Sequence, residues 1–286
     1  MSKLVIVGTV AFDAIQTPYG KTDKILGGAA TFIGLAASQF DIDGAIVSVV
    51  GGDFPKEYID MLEDKGLNIS SLEVVENGKT FFWSGRYHND MNSRDTLVTE
   101  LNVLENFQPI VPESYKDAKI LVLGNLHPAV QSSVLDQMSD SSTLVILDTM
   151  NFWIDGKRDA LIRTLGYVDI LVINEAEVRQ LADEANLVKA SRAVLAMGPK
   201  TLVVKRGEYG VLVFTEHSIF SAPAYPLEEV FDPTGAGDTF AGGFMGYLAA
   251  TNNLSDETIR KATVFGSVMA SFTVEDFSAF ILSCSV

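Results

Sequence analysis

The sequence predicts an α/β chain whose mostly parallel sheet carries helices on both faces, with a small all-β segment added. Three observations predict this. Short apolar, β-branched runs recur along the chain, as in strands that are buried on both faces. Helix-like stretches alternate with them, the order expected of a parallel sheet with crossover helices. One segment, residues 72–103, breaks the alternation.

The strand candidates are residues 3–10, 45–50, 119–123, 143–147, 169–173 and 201–204. The helix candidates are 29–40, 55–65 (stopped by Gly66), 128–138, 155–165, 175–181 and 187–197. In the odd segment, strand-like pieces stand at 71–76, 80–88 and 96–102. The turn residues Asn77-Gly78 and Asn89-Asp90 separate them, as in antiparallel hairpins. Alternation in the middle piece puts Phe81, Trp83 and Tyr87 on one face and Phe82, Arg86 and His88 on the other. We read the segment as a β lid over an active site, with residues 14–25 as a candidate second part of it. No repeat, low-complexity tract or linker interrupts the chain, so residues 1–286 read as one domain.

Composition narrows the function classes. The 286 residues include 21 Lys+Arg and 37 Asp+Glu, a net charge of −16. With 47% hydrophobic and 20% charged residues, a disordered or fibrous chain is excluded. The acidic excess argues against nucleic acid or a membrane surface as partner, since both are polyanions. The single cysteine, Cys284, rules out a disulfide within the chain and a cysteine-based zinc site. The apolar run from Leu4 is ended by Asp13, and no stretch approaches the roughly 18 apolar residues of a membrane span. A cytoplasmic protein is the reading that follows.

Familiar chemical motifs fail one by one. The two Gly-Lys-Thr tripeptides begin at Gly20 and Gly78, but Ile15 and Glu73 stand where a P-loop needs its first glycine. The run Gly235-Ala236-Gly237-Asp238-Thr239-Phe240 ends in Phe where a dinucleotide fingerprint needs Gly. Asp148 ends an apolar strand as a phosphatase nucleophile would, yet Met150 replaces the second aspartate of that motif. His88, His127 and His217 are scattered, and each reads as an ordinary surface or core residue.

Residues 232–244, Asp-Pro-Thr-Gly-Ala-Gly-Asp-Thr-Phe-Ala-Gly-Gly-Phe, are different. Pro233 and the glycines end an extended stretch, and residues 239–250 read as a helix with a small-residue side at Ala241, Gly242, Gly246 and Ala249. The amides of Gly235, Ala236 and Gly237 would then open at a helix N-terminus, where the dipole favours an anion. Asp238 admits two readings there. It can cap the first turn. Alternatively, it can take the proton of an acceptor hydroxyl that attacks a γ-phosphate, with the amides stabilising the transferring group.

The segment from Asp232 to Phe240 closely resembles the C-terminal motif of the ribokinase-like carbohydrate kinase (PfkB) family. Gly27-Gly28-Ala29-Ala30 before an apolar helix is similar to that family's N-terminal Gly-Gly motif. The order of the motifs and the β insert extend the resemblance over nearly the whole chain. It implies a ribokinase-like fold and phosphoryl transfer from ATP to a hydroxyl of a sugar or nucleoside. Asp238 would be the base, and Gly235, Ala236 and Gly237 would form the anion hole.

Other positions carry over singly. Asp13 stands where the family places a carboxylate on substrate hydroxyls, and Gly27 and Gly28 match the glycines against which substrate lies. Asn174 and Glu177 match Asn-x-x-Glu, which supports Mg²⁺ through water and phosphate; as a sequence they also form a helix capping box. Lys205 and Gly207 stand at the nucleotide-contacting Thr-x-Gly, with Lys in place of Thr. Thr234 belongs to the nucleotide side, and K⁺ activation would use carbonyls near Asp232 and Thr234. Arg86 on the lid is a candidate for a ring oxygen, hydroxyl or anionic group of the substrate. Thr31 or Phe32 stands where ribokinases usually have Asn, which argues against ribose itself. The segment Val274-Glu275-Asp276-Phe277 resembles the family's closing segment, and the end at Val286 predicts a reduced wall for the nucleotide site. Lid strands in this family often pair across a homodimer, and Phe81, Trp83 and Tyr87 could form such a face or cover the chain's own core. Three rival readings stand beside it: a hydroxymethylpyrimidine or pyridoxal-type kinase, a non-catalytic sugar- or nucleotide-binding sensor, and a dehydrogenase.

Overall fold

The computed structural model describes residues 1–277. Cys284 and the chain end at Val286 lie outside the described residues. In chain order the first strands are β1 (Ser2–Val7), β2 (Ala11–Thr17), β3 (Gly20–Lys21), β4 (Ile25–Gly27), β5 (Ile42–Gly51), β6 (Asn68–Val75), β7 (Phe82–Tyr87) and β8 (Arg94–Glu100). They are followed by β9 (Ile120–Leu123), β10 (Leu144–Leu147), β11 (Ile170–Asn174), β12 (Thr201–Lys205), β13 (Val211–Phe214) and β14 (Ile219–Ala222). The helices are α1 (Ala29–Ala37), α2 (Lys56–Asp64), α3 (Pro128–Leu135), α4 (Asn151–Gly156), α5 (Arg158–Leu165), α6 (Glu175–Ala182), α7 (Leu187–Leu195), α8 (Ala236–Thr251) and α9 (Asp256–Thr273).

Among the described residues, a nine-stranded sheet runs in the order β14-β13-β12-β11-β10-β9-β1-β5-β6. From β6 to β12 neighbouring strands are parallel; β13 and β14 are antiparallel. The apolar runs explain why both faces are covered. Alternate side chains point to opposite faces, and here both sets are apolar. Leu4, Ile6, Ile46, Val122, Ile146, Val172 and Val203 pack with α1, α8 and α9. Val5, Val7, Val47, Leu121, Leu123, Leu171 and Val204 pack with residues of α3, α5, α6 and α7 on the other side. Gly242 and Gly246 let α8 lie directly against the backbone and side chains of α1 and the turn after it, as the small-residue side predicts.

A smaller sheet has the order β3-β2-β7-β8, with β4 paired to β2. The expected strand at 71–76 does not belong to it. That stretch is part of β6, which pairs in parallel with β5 at the edge of the large sheet. As a half-exposed edge strand, β6 shows the same alternation as a lid strand, and its sequence alone does not tell the two apart. The insert assigned to 72–103 therefore divides: β7 and β8 are in the small sheet, while the rest of that sheet, β2 to β4, comes from residues 11–27, overlapping the 14–25 candidate. Asn77-Gly78 joins two sheets rather than turning a hairpin, whereas Asn89-Asp90 does turn the β7–β8 hairpin.

The expected strand 3–10 stops at Val7, because Thr9 turns to hold the start of α1. Its hydroxyl accepts the Ala29 N–H (2.9 Å) and its carbonyl the Ala30 N–H (2.9 Å). The expected helix at 155–165 is split, with Asp155 in α4 and a break at Lys157 (φ −141°) before α5. Finally, α8 begins three residues ahead of the expected start at Thr239.

Candidate active site

The candidate residues gather where β1, β10, β11 and β12 end and α8 begins. This is the crevice beyond the carboxyl ends of the strands, where open parallel sheets bind ligands. Gly235 (φ +75°) caps α8 in the left-handed region, and a β-carbon there would run into the Phe32 ring of α1. This close approach fixes the loop. The Ala236 N–H turns back to the Pro233 carbonyl (3.2 Å), and the Thr234 N–H donates to Asp232 Oδ1 (2.9 Å). Among the described residues, the N–H groups of Gly235 and Gly237 have no acceptor, leaving orphan donors at a helix N-terminus.

Asp238 is in the first turn of α8, and its pKa is pushed up to about 7, first by burial and then by the Asp148 carboxylate; Lys205 and Arg94 oppose this. Lys205, at the end of β12, puts Nζ 3.3 Å from Asp148 Oδ2 and 3.5 Å from the Gly237 carbonyl. Burial pulls the Lys205 pKa down, but Asp148, Glu177 and Asp238 outweigh it and hold the ammonium above its ordinary value. Burial raises Asp148 despite that partner.

Asn174 and Glu177 close a full capping box at the start of α6. The Glu177 N–H donates to Asn174 Oδ1 (2.9 Å), and the Asn174 N–H to Glu177 Oε2 (2.8 Å). The same glutamate is buried and pushed up to about 7 by burial and by Asp148, so it faces the carboxylate cluster while capping the helix.

Across the crevice, Asp13 lies in β2 against Gly27, where a β-carbon would overlap its carboxylate. Burial, then the charges of Asp232 and Asp238, push Asp13 up to about 7; the Gly28 N–H and Arg94 oppose them. Asp13, Gly27, Gly28 and Asp238 are thus brought together. Gly207 (φ +55°) lies beside the tip of the small sheet, with the Asn92 side chain directly against it.

Arg86 is not brought to the site. Asp13 pairs with Trp83 and Ile15 with Gly85, so the face of β7 beside Asp13 carries Trp83, Gly85 and Tyr87. Arg86 is on the opposite face, donating from Nε to Gln16 Oε1 (3.1 Å), and His88 meets Asp95 (3.0 Å) out in solvent. The alternation is as expected; the aromatic face, rather than the polar one, turns to the crevice.

The arginine on the inward face is Arg94, opposite Tyr87 across the hairpin. Its charge lowers the pKa values of Asp13, Asp148, Glu177 and Asp238. Sequence reasoning missed it: a hairpin turning on Asn89-Asp90 alone would set Tyr87 opposite Asn92, whereas the loop is longer and His88 pairs with Ser93, which brings Arg94 opposite Tyr87. From the sequence Tyr87 reads only as a surface for another subunit or the core. Its hydroxyl accepts from Thr234 Oγ1 (3.2 Å), joining the small sheet to the loop before α8.

The sequence matches the pfkB family carbohydrate kinases over residues 1–282. The chain belongs to the pfkB carbohydrate kinase family. It is 34% identical over 249 residues to the cytidine kinase of Thermococcus kodakarensis, covering 86% of this chain and 88% of that one. To the nucleoside kinase of Methanothermobacter thermautotrophicus it is 26% identical over 303 residues, covering 96% and 89%. The crystal structure of the nucleoside kinase of Methanocaldococcus jannaschii, an archaeal member of the ribokinase family, superposes with a TM-score of 0.77 at 21% identity, covering 97% of this chain and 93% of that one. Aminoimidazole riboside kinase from Salmonella enterica gives 0.79 at 18% identity, covering 99% and 96%. These two likenesses show the shared ribokinase-like fold. As a pfkB kinase the protein is a phosphotransferase with an alcohol group as acceptor, of the sugar and nucleoside kinase class. The relatives favour neither the pyridoxal-type kinase, the sensor nor the dehydrogenase. No helix among the described residues is long and apolar enough to cross a membrane.

Proposed function

We propose that this pfkB kinase phosphorylates a hydroxyl of a nucleoside, using ATP and Mg²⁺, with Asp238 as the general base. The observation that carries the reading is the position of Asp238. It is a half-buried carboxylate with a pKa pushed up to about 7, at the N-terminus of α8, facing Asp13 across the crevice and bordered by Lys205. A cap alone would not require a place among other carboxylates. The nucleoside follows from the cytidine and nucleoside kinases among the relatives.

The donor set fits a magnesium-bound polyphosphate. The unpartnered N–H groups of Gly235 and Gly237 suit phosphate oxygens. Asp148, Glu177 and Asp238 crowd negative charge that a hard divalent cation would relieve. Among the described residues no three His, Cys, Asp or Glu side chains are grouped to hold a metal by themselves, so Asn174 and Glu177 would hold Mg²⁺ indirectly, through water and phosphate. A structural neighbour from E. coli was solved with ATP and Mg²⁺. When bound, MgATP supplies the transferable phosphoryl group and the charge that offsets its oxygens.

The chain's residues do the rest. Asp13 and the Gly27–Gly28 turn orient the acceptor hydroxyls. Asp238 would accept the proton of the attacking hydroxyl on its carboxylate as the new P–O bond forms and the bond from the γ-phosphorus to the ADP oxygen breaks, with no covalent enzyme intermediate. Lys205 and the amides of Gly235 and Gly237 stabilise charge on the transferring group. Gly207 and Thr234 belong to the nucleotide side. The same reading keeps K⁺ as an activator through carbonyls near Asp232 and Thr234, tested by exchanging K⁺ for a bulky organic cation. It also keeps a homodimer through β8, an edge strand exposed on both faces, tested by light scattering. An ATP-consuming enzyme of this kind belongs in the cytoplasm.

ADP release from ATP in the presence of cytidine, uridine, adenosine and ribose tests the function. Turnover of a nucleoside that is lost in Asp238→Asn supports it. A mutant with full activity removes Asp238 as the base.

A further inference from the structure

Trp83 is held in a way that neither the fold nor the proton transfer requires. The six-membered end of the indole lies against Gly85, where a β-carbon would collide with it. Its Nε1–H donates to Thr96 Oγ1 (3.3 Å) on the neighbouring strand, which fixes the ring's orientation. Trp83 is nevertheless only half-buried, although it pairs with Asp13, which is buried. The indole rests against the strand backbone at Gly85, on the side of the small sheet that also carries Asp13. The Arg94 guanidinium lies over the ring, 5.7 Å from its centroid. Strand spacing puts Gly85 roughly 8 Å from Asp13, two residues along and one strand across.

We propose that Trp83 is the platform on which the base of the acceptor nucleoside stacks, and so the residue that selects nucleosides over free sugars. The proposal rests on the nucleoside reading above and extends it to a specificity residue. Asp13 and Asp238, once ionised, accept hydrogen bonds and so suit sugar hydroxyls. A base attached to that sugar needs a flat apolar surface a few ångströms away, and the indole provides one. Arg94 shows that the ring takes a planar cation, and a planar base would take its place. Stacking uses the π-face that every base has, so Trp83 recognises a base without choosing which one.

Trp83→Leu and Trp83→Phe test this by steady-state kinetics with cytidine, uridine, adenosine and ribose. Base-on-aromatic stacking predicts that Trp83→Leu raises the KM of nucleosides by about tenfold or more. The kcat should change little, the KM for ribose should not move, and Trp83→Phe should recover most of the loss. In a Trp153→Phe background, which leaves Trp83 as the single tryptophan, nucleosides should quench the fluorescence and ribose should not. Nucleoside turnover with an unchanged KM in Trp83→Leu would overturn the platform while leaving the nucleoside kinase intact. An equal rise for ribose would overturn it too, by showing that the ring packs on the sugar or merely supports the sheet. A wild-type enzyme that phosphorylates only base-free sugars would overturn both proposals.

Discussion

Lys205 Nζ stands 3.3 Å from Asp148 Oδ2 with both side chains largely out of solvent. The pair joins the ends of β12 and β10 beneath the start of α8. Removing one partner of a buried pair leaves an uncompensated charge, at a cost of about 3–5 kcal/mol. Lys205→Met should therefore destabilise strongly, and adding Asp148→Asn should recover much of the loss without restoring turnover. Urea unfolding of the single and double variants checks this through their non-additivity.

Asp238→Asn should lower kcat by roughly 10²–10⁴-fold, the range for a lost general base. It should not unfold the protein. The amide also removes the repulsion between Asp238 and Asp148, so its melting temperature at pH 8 should equal or exceed that of the parent.

Activity and stability should respond to pH in opposite directions. A base with a pKa of about 7 must be ionised, so kcat/KM should rise with pH through that value. Asp13, Glu177 and Asp238 titrate near 4 when unfolded and near 7 when folded. Between those values the folded state binds more protons, so its stability falls as pH rises. Ligand-free protein should melt higher at pH 5 than at pH 8, and Asp238→Asn should reduce the difference. Thermal melts at the two values are the check.

Arg94 and Arg86 lie on opposite faces of one hairpin and should separate cleanly. Loss of a charge-assisted interaction is worth about 1.5–3 kcal/mol. Arg94→Ala should lower kcat/KM by roughly ten- to a hundredfold, and Arg86→Ala should leave it within about twofold. Parallel kinetics of the two variants decide whether the inward face is the functional one.

The Tyr87–Thr234 contact ties the small sheet to the loop before α8. A neutral hydrogen bond contributes about 0.5–1.5 kcal/mol. Tyr87→Phe and Thr234→Val should each lower kcat/KM for ATP by about two- to tenfold, and the double variant should be no worse than either. A double-mutant cycle measures that coupling.

Much of this was legible in the sequence because it is local. The parallel strands follow from apolar runs, since a strand buried on both faces has no polar side to show. The capping box at Asn174 and Glu177 follows from a spacing of three on one helix. The Asp232–Phe240 motif marks the N-terminus of α8 because its glycines and proline leave few other conformations open. Arg86 and β6 misled for a common reason. Alternation shows which side chains share a face, and it does not say what that face meets.

By itself the sequence determined the α/β class, the order of elements and the loop that carries Asp238. All three depend on residues near one another in the chain, where propensity and periodicity act directly. The tertiary structure alone decided that β6 joins the large sheet and that Trp83, Tyr87 and Arg94 face the crevice. It also decided that Asp13, Asp148, Glu177 and Asp238 share one buried field with Lys205. Desolvation and charge repulsion depend on distance in space, and residues 13, 148, 177, 205 and 238 acquire that proximity only when the strands carrying them are laid side by side.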